Sequence, residues 1–170
     1  MNTEKRKPTV FIAEDDEMFA QMIAVFVERN NDFEAVTFQT GEALMERIDE
    51  NPDIVILDHN LNDLDPRMMN GIDVLQKLNK EKPTIPVVVF SGQEQIDTAV
   101  DLISSGACDY INKHDPSAFE LLDSTLQDIL KVKAEKSEFA ELELDMKDAK
   151  KRLMVVAALV IGMVVLVNLI

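Results

Sequence analysis

The chain has 170 residues, of which 46% are hydrophobic, a size that fits one ordinary domain with an appended segment and is too short for two. Its 32 acidic and 17 basic side chains give a formal net charge of -15, which argues against binding nucleic acid through its phosphates. Residues 1–8 carry charges with no apolar region behind them, so we expect no secretory signal and a domain that stays in the cytoplasm.

Short apolar stretches alternate with amphipathic stretches through the first three quarters of the chain. The predicted strands cover residues 9–13, 33–38, 54–57, 87–90 and 108–112, and helices are predicted over residues 17–29, 41–49, 72–80, 94–105 and from about 117. A strand followed by a helix, repeated five times, is typical of an α/β domain. We therefore predict a doubly wound parallel sheet over residues 8–131, with right-handed crossovers and helices on both faces.

Polar side chains follow these strands where each one ends. Asp15 and Asp16 come after the first strand, Asp58 after the third, Ser91 after the fourth and Lys113 after the fifth. Taken alone, Asp58 would more often be a turn or helix-capping residue. Ligands of open parallel sheets bind at the carboxyl ends of the strands, and carboxylates that converge there repel one another unless a cation such as Mg²⁺ lies between them. The pattern predicts phosphoryl transfer, with Asp58 as the nucleophile.

These residues resemble the receiver domain of response regulators, which act in two-component phosphorelay signalling. The resemblance rests on the acidic pair Asp15-Asp16 within residues 11–17, on Asp58, on the pair Ser91-Gly92, and on Tyr110 three residues before Lys113. It implies a flavodoxin-like sheet in strand order 2-1-3-4-5. It also implies that Asp58 accepts a phosphoryl group from a histidine kinase or a phosphotransfer protein.

The resemblance further assigns a magnesium site. Asp16, Asp58 and the backbone carbonyl of Asn60 would hold Mg²⁺, with Asp15 assisting partly through water. The chain would then be a phosphoacceptor that catalyses only its own phosphotransfer and dephosphorylation, and not an enzyme acting on other substrates.

A switch is implied by the same resemblance. Ser91 would hydrogen-bond the new phosphoryl group while Tyr110 turns inward, and Lys113 would contact a phosphoryl oxygen. Tyr110 alone reads as a half-buried strand aromatic, and only its spacing from Lys113 favours a switch role. The family usually has a proline with a cis bond after the lysine, whereas His114 stands here, which leaves the reach of Lys113 open.

Residues 132–152 are predicted to form a helical linker. An apolar seam with spacing 3-4-3-4 extends through it and consists of Phe139, Leu142, Met146, Ala149 and Leu153. The seam covers barely two heptads, so a coiled-coil homodimer and an exposed linker helix remain equally good interpretations.

Residues 153–170 contain no charged side chain. As a helix these 18 residues would be about 27 Å long, close to the hydrocarbon thickness of a bilayer. A basic cluster at Lys147, Lys150, Lys151 and Arg152 precedes them, which is typical of a cytoplasmic flank. We therefore expect a single-pass C-terminal anchor that holds the domain at the cytoplasmic face of the cell membrane.

The combined prediction is a phosphorylatable receiver that switches contacts with an unknown membrane-proximal partner and has no DNA-binding or catalytic output domain. The alternative is a membrane-tethered scaffold with a receiver fold that works without phosphorylation. A metal-dependent phosphohydrolase is less favoured, because such enzymes keep an acid/base aspartate two residues after the nucleophile, where this chain has Asn60.

Overall fold

The computed structural model of the protein describes residues 6–29, 32–61, 65, 67–92 and 96–167, and within these ranges the side chains of residues 96–98 and 158–167 are not described. The described strands are β1 (Thr9–Ala13), β2 (Glu34–Phe38), β3 (Ile54–Leu57), β4 (Val87–Ser91) and β5 (Asp109–Asn112). The described α-helices are α1 (Glu17–Glu28), α2 (Gly41–Glu46), α3 (Gly71–Glu81), α4 (Ile96–Ser104) and α5 (Ala118–Val167).

The five described strands form one parallel sheet in the order β2-β1-β3-β4-β5, which confirms the predicted α/β class and strand order. Every residue of β3 and of β4 is buried. Apart from Ser91 at the end of β4, these residues are apolar, as expected for strands of a parallel sheet with helices on both faces.

Alternate residues of the strands serve two separate packing layers. Phe11, Val55 and Val89 belong to a buried cluster with residues of α2 and α3. On the opposite face, the ring of Phe90 contacts that of Phe119, at the start of α5, with centroids 5.6 Å apart. The chain is therefore wound on both sides of the sheet, and the strand ends lie at one edge.

The second predicted helix is shorter than the periodicity indicates. We expected it to reach about residue 49, but α2 ends at Glu46 and a 3₁₀ turn follows over Ile48–Glu50. The cause is the turn into β3: Asn51 adopts a left-handed conformation with φ 53°, and its backbone N–H donates to the carbonyl of Ile48. A helix that continued through this point would carry the chain past the start of β3.

The chain divides into two compact units between Asp128 and Ile129. The second unit is the continuation of α5, and its described side chains include exposed Phe139, Met146 and Leu153, which are 66%, 72% and 70% exposed. The described residues include no helix with a stretch long and apolar enough to cross a membrane. Most of the predicted span falls on residues 158–170, which lie outside the described side chains.

Candidate functional site

Three carboxylates and one ammonium group meet at the carboxyl edge of the sheet. Glu14, Asp15 and Asp58 each bring a carboxylate oxygen within 4.8 Å of the other two. Lys113 Nζ lies 2.6 Å from Glu14 Oε2 and 3.2 Å from Asp58 Oδ2. Glu14 and Asp58 are buried, so their charges interact strongly with the ammonium group between them.

Backbone hydrogen bonds fix these residues just beyond the ends of the strands. The N–H of Glu14 donates to the carbonyl of Phe38 at 3.0 Å, and the N–H of Asp58 donates to the carbonyl of Ala13 at 2.9 Å. The N–H of Lys113 donates to the carbonyl of Ser91, also at 2.9 Å. Each bond extends the sheet ladder by one residue, so the sheet itself sets the spacing of the site.

The loop after Asp58 is held by Gly71, the first residue of α3. Its N–H donates to the carbonyl of His59 at 2.8 Å. A Cβ at position 71 would lie 2.6 Å from the Cα of His59 and would also overlap the carbonyl oxygen of Asp58. Glu42, in α2, accepts a hydrogen bond from the N–H of Met69 at 2.8 Å. Neither contact was foreseen from sequence, because neither follows from local spacing.

Asp16 lies outside this group of carboxylates. Its exposed side chain caps α1 by accepting a hydrogen bond from the N–H of Phe19 at 3.0 Å. Glu14, which was not among the predicted site residues, is the buried carboxylate beside Lys113. The sequence did indicate a capping role for Asp16, because an aspartate directly before the first helical residue is a preferred N-cap.

The predicted switch residues lie near the carboxylates. Ser91 is completely buried at the end of β4, and its Oγ has no hydrogen-bond partner among the described residues. Tyr110 is half-buried and packs against the core cluster, and its burial, together with the negative charge of Asp58, raises the pKa of the phenol. Asn60 is half-buried in the loop two residues after Asp58.

His114 does not prevent Lys113 from reaching the site. The described peptide bonds are all trans, and the Lys113 ammonium nevertheless contacts both Glu14 and Asp58. The imidazole of His114 lies against Gly92, where an added Cβ would be 3.1 Å from Nε2. The side chain that replaces the usual proline therefore packs beside the Ser91-Gly92 pair and leaves the lysine in place.

The comparison with known families decides what this arrangement is. The family model of the response regulator receiver domain matches residues 10–127. The chain belongs to this family.

Curated relatives of this receiver are longer proteins. The cell cycle transcriptional regulator CtrA of Caulobacter vibrioides is 36% identical over 108 residues, which is 61% of this chain and 43% of CtrA. The putative response regulator NtrX-like of Rickettsia bellii is 33% identical over 104 residues, 61% of this chain and 21% of that protein. The receiver thus spans less than half the length of the relatives that it matches.

Solved structures resemble the receiver over a larger share of the chain. The signal receiver domain of a putative LuxO repressor protein from Vibrio parahaemolyticus is 27% identical, with a TM-score of 0.66, over 77% of this chain and 96% of that one. NtrX from Brucella abortus is 25% identical, with a TM-score of 0.69, over 81% of this chain and 30% of that one. Both likenesses support the receiver fold.

The receiver site fits a hard divalent cation. Three carboxylates converge beside a single described ammonium group, and one oxygen of Asp58, Oδ1, is buried without a hydrogen-bond partner among the described residues. Burial, and then the charge of Asp58, raise the pKa of Glu14 from 4.5 to about 7. Excess negative charge and an unpaired carboxylate oxygen are what Mg²⁺ would relieve.

In metal-free protein, Glu14→Gln is expected to raise the free energy of unfolding at pH 8 by about 2 kcal/mol and to change it little near pH 4.5. The native state keeps the Glu14 proton up to about pH 7, whereas the unfolded chain releases it near 4.5. The stabilisation from the raised pKa is therefore complete below 4.5 and is lost as the pH rises through about 7. Urea unfolding of the wild type and Glu14→Gln between pH 4.5 and pH 8 checks this prediction. A difference in the free energy of unfolding that does not depend on pH would contradict it.

Proposed function

We propose that this chain is a phosphorylatable signalling receiver that takes a phosphoryl group onto Asp58 from the phosphohistidine of a histidine kinase or phosphotransfer protein. One observation carries the proposal: Asp58 is a buried carboxylate with Lys113 3.2 Å from one oxygen, while the other oxygen and the Oγ of Ser91 are buried without described partners. Buried polar atoms in folded proteins are nearly always paired. Beside Lys113, the Oγ of Ser91 could donate a hydrogen bond to a phosphoryl group, and the second oxygen of Asp58 could bind its metal ion.

The transfer is a displacement at phosphorus. An oxygen of Asp58 attacks, a P–O bond forms as the P–N bond of the donor breaks, and the electron pair returns to the donor imidazole, which takes a proton from solvent. Lys113 contacts an equatorial phosphoryl oxygen, and the hydroxyl of Ser91 donates a hydrogen bond to another. Glu14, Asp15 and Asp58, with the Asn60 carbonyl, would hold Mg²⁺, which when bound neutralises charge on the phosphoryl oxygens. Asp16 remains a helix cap in this scheme.

Phosphorylation would then act through Ser91 and Tyr110. Ser91 ends β4 and Tyr110 lies in β5, and these two strands are paired directly. If the Ser91 side chain turns to donate a hydrogen bond to the phosphoryl group, it would leave space that the ring of Tyr110 can enter. The receiver would signal through this change in partner contacts and would turn over no other substrate.

The test uses a small acyl phosphate as donor and the full-length chain in detergent. We expect Mg²⁺-dependent, saturable labelling of the wild type and none of Asp58→Asn, with Asp49→Asn as a matched control on an exposed aspartate that pairs with Lys82. Equal labelling of wild type and Asp58→Asn would reject the proposal. Absent labelling, combined with full cellular function of Asp58→Ala, would establish the phosphorylation-independent scaffold instead.

We propose further that residues 153–170 tether the receiver to the cytoplasmic face of the cell membrane. Support comes from the absence of charged residues in this stretch and from the basic cluster before it, which suits the cytoplasmic side. Flotation with lipid vesicles tests the tether. The wild type should float and resist extraction at high pH, whereas Val160→Asp with Val164→Asp should stay in the soluble fraction, and flotation of both alike would reject an inserted helix.

The output partner is proposed to be a protein at that membrane face, or a second copy joined through the exposed seam of α5. CtrA is named a transcriptional regulator, but its likeness to this chain is confined to 43% of its length, and the net charge of -15 does not favour nucleic acid.

A further inference from the structure

The ammonium group of Lys113 contacts an aromatic ring as well as the carboxylates of Glu14 and Asp58. Its Nζ lies 4.6 Å from the ring centroid of Phe19, in the first turn of α1. The side chain of Lys113 is 13% exposed, although lysine has a long, flexible stem and a strongly hydrated head. The contact with the ring thus accompanies an ammonium group that is largely withdrawn from water.

The Phe19 ring is itself held by two neighbours. It stacks on Phe90, with centroids 6.0 Å apart and an interplanar angle of 19°, and it tilts against Phe119 at 6.4 Å. Phe90 directly precedes Ser91 in β4, and Phe119 belongs to the first turn of α5. The ring thus joins three elements at the edge of the site.

We propose that Phe19 is a positioning residue for phosphoryl transfer, which holds the Lys113 ammonium over Asp58 by a cation–π contact. This inference rests on the proposed phosphorylation of Asp58. A ring attracts the ammonium through its quadrupole without adding a charge. An additional carboxylate in its place would increase the repulsion among Glu14, Asp15 and Asp58 and would compete with the phosphoryl oxygens for the lysine.

The test compares full-length variants with an acyl phosphate donor at saturating Mg²⁺. Phe19→Leu should slow phosphorylation by about three- to ten-fold, while Phe19→Tyr, which keeps the ring, should stay near the wild-type rate. Phe26→Leu is the matched control, because Phe26 contacts Phe119 at 4.7 Å in the same aromatic group, whereas the cation over its ring is Arg29. A rate for Phe19→Leu within two-fold of that for Phe26→Leu would overturn the inference.

A second readout does not depend on phosphorylation. In metal-free protein with isotope-labelled lysine, the ε-methylene of Lys113 should lose its ring-current shift and become more mobile in Phe19→Leu, but not in Phe26→Leu. An unchanged Lys113 mobility in Phe19→Leu overturns the positioning role even if no variant can be labelled. If the wild type is not phosphorylated but Lys113 becomes more mobile in Phe19→Leu, the proposed function is rejected and the positioning role of Phe19 is kept.

Discussion

Replacing Lys113 with methionine is expected to lower the free energy of unfolding of the metal-free protein by about 3 kcal/mol at pH 8 and to slow phosphorylation by about 100-fold or more. Lys113 is paired with Glu14 at 2.6 Å and with Asp58 at 3.2 Å. Methionine keeps the apolar stem but leaves two buried carboxylates without their cation. The destabilisation should shrink as the pH falls below about 7, where Glu14 takes up a proton.

Urea unfolding at pH 8 and pH 5.5, with and without Mg²⁺, measures this effect. Added Mg²⁺ should restore part of the stability of Lys113→Met, because the cation replaces the missing positive charge. Lys82→Met is the matched control: its partner Asp49 is 91% exposed, so the cost should stay below about 1 kcal/mol. Equal costs for the two substitutions, or a cost independent of pH, would contradict the described charge arrangement.

Gly71→Ala is expected to destabilise the fold by about 1 to 3 kcal/mol and to slow phosphorylation of Asp58 by about 10- to 100-fold. The new Cβ would lie 2.6 Å from the Cα of His59, which is backbone and cannot rotate away. The segment carrying Asp58 and Asn60 must shift, and the shift misplaces the nucleophile relative to Lys113.

Gly92→Ala is the control for this substitution: among the described residues, its Cβ would meet the imidazole of His114, 3.1 Å away at Nε2, and a side chain can move aside. Initial phosphorylation rates and thermal unfolding of both variants check the prediction. If Gly71→Ala and Gly92→Ala behave alike, the close approach of α3 to the Asp58 segment does not set the geometry of the site.

The sheet was predictable because short strands, of which β3 is apolar throughout and β4 is apolar up to Phe90, alternate with amphipathic helices. Asp58 and Lys113 were predictable for the same reason: they directly follow strands, so the ends of the sheet carry them to one edge. The place of Glu14 was missed, because four acidic residues follow the first strand in succession and only helix capping decides between Asp16 and its neighbours. That distinction lies in the φ and ψ angles of a single residue.

Long-range contacts were beyond sequence reasoning. Gly71 reads as an ordinary helix start, and its approach to His59 depends on how α3 is set against β3. Phe19 reads as one more apolar position on α1, and its contact with Lys113 joins residues that are far apart in the chain. Such contacts depend on how the elements pack, which periodicity and spacing along the chain do not encode.

The most direct test of the account is to locate the phosphoryl group. The full-length chain is treated with an acyl phosphate and Mg²⁺, then reduced with borohydride, which converts an aspartyl phosphate to homoserine, and the peptides are analysed by mass spectrometry. Homoserine is expected at position 58 when Mg²⁺ is present, and none is expected when Mg²⁺ is withheld. Homoserine at another aspartate, or an unmodified position 58 in protein that has taken up phosphate, would contradict it.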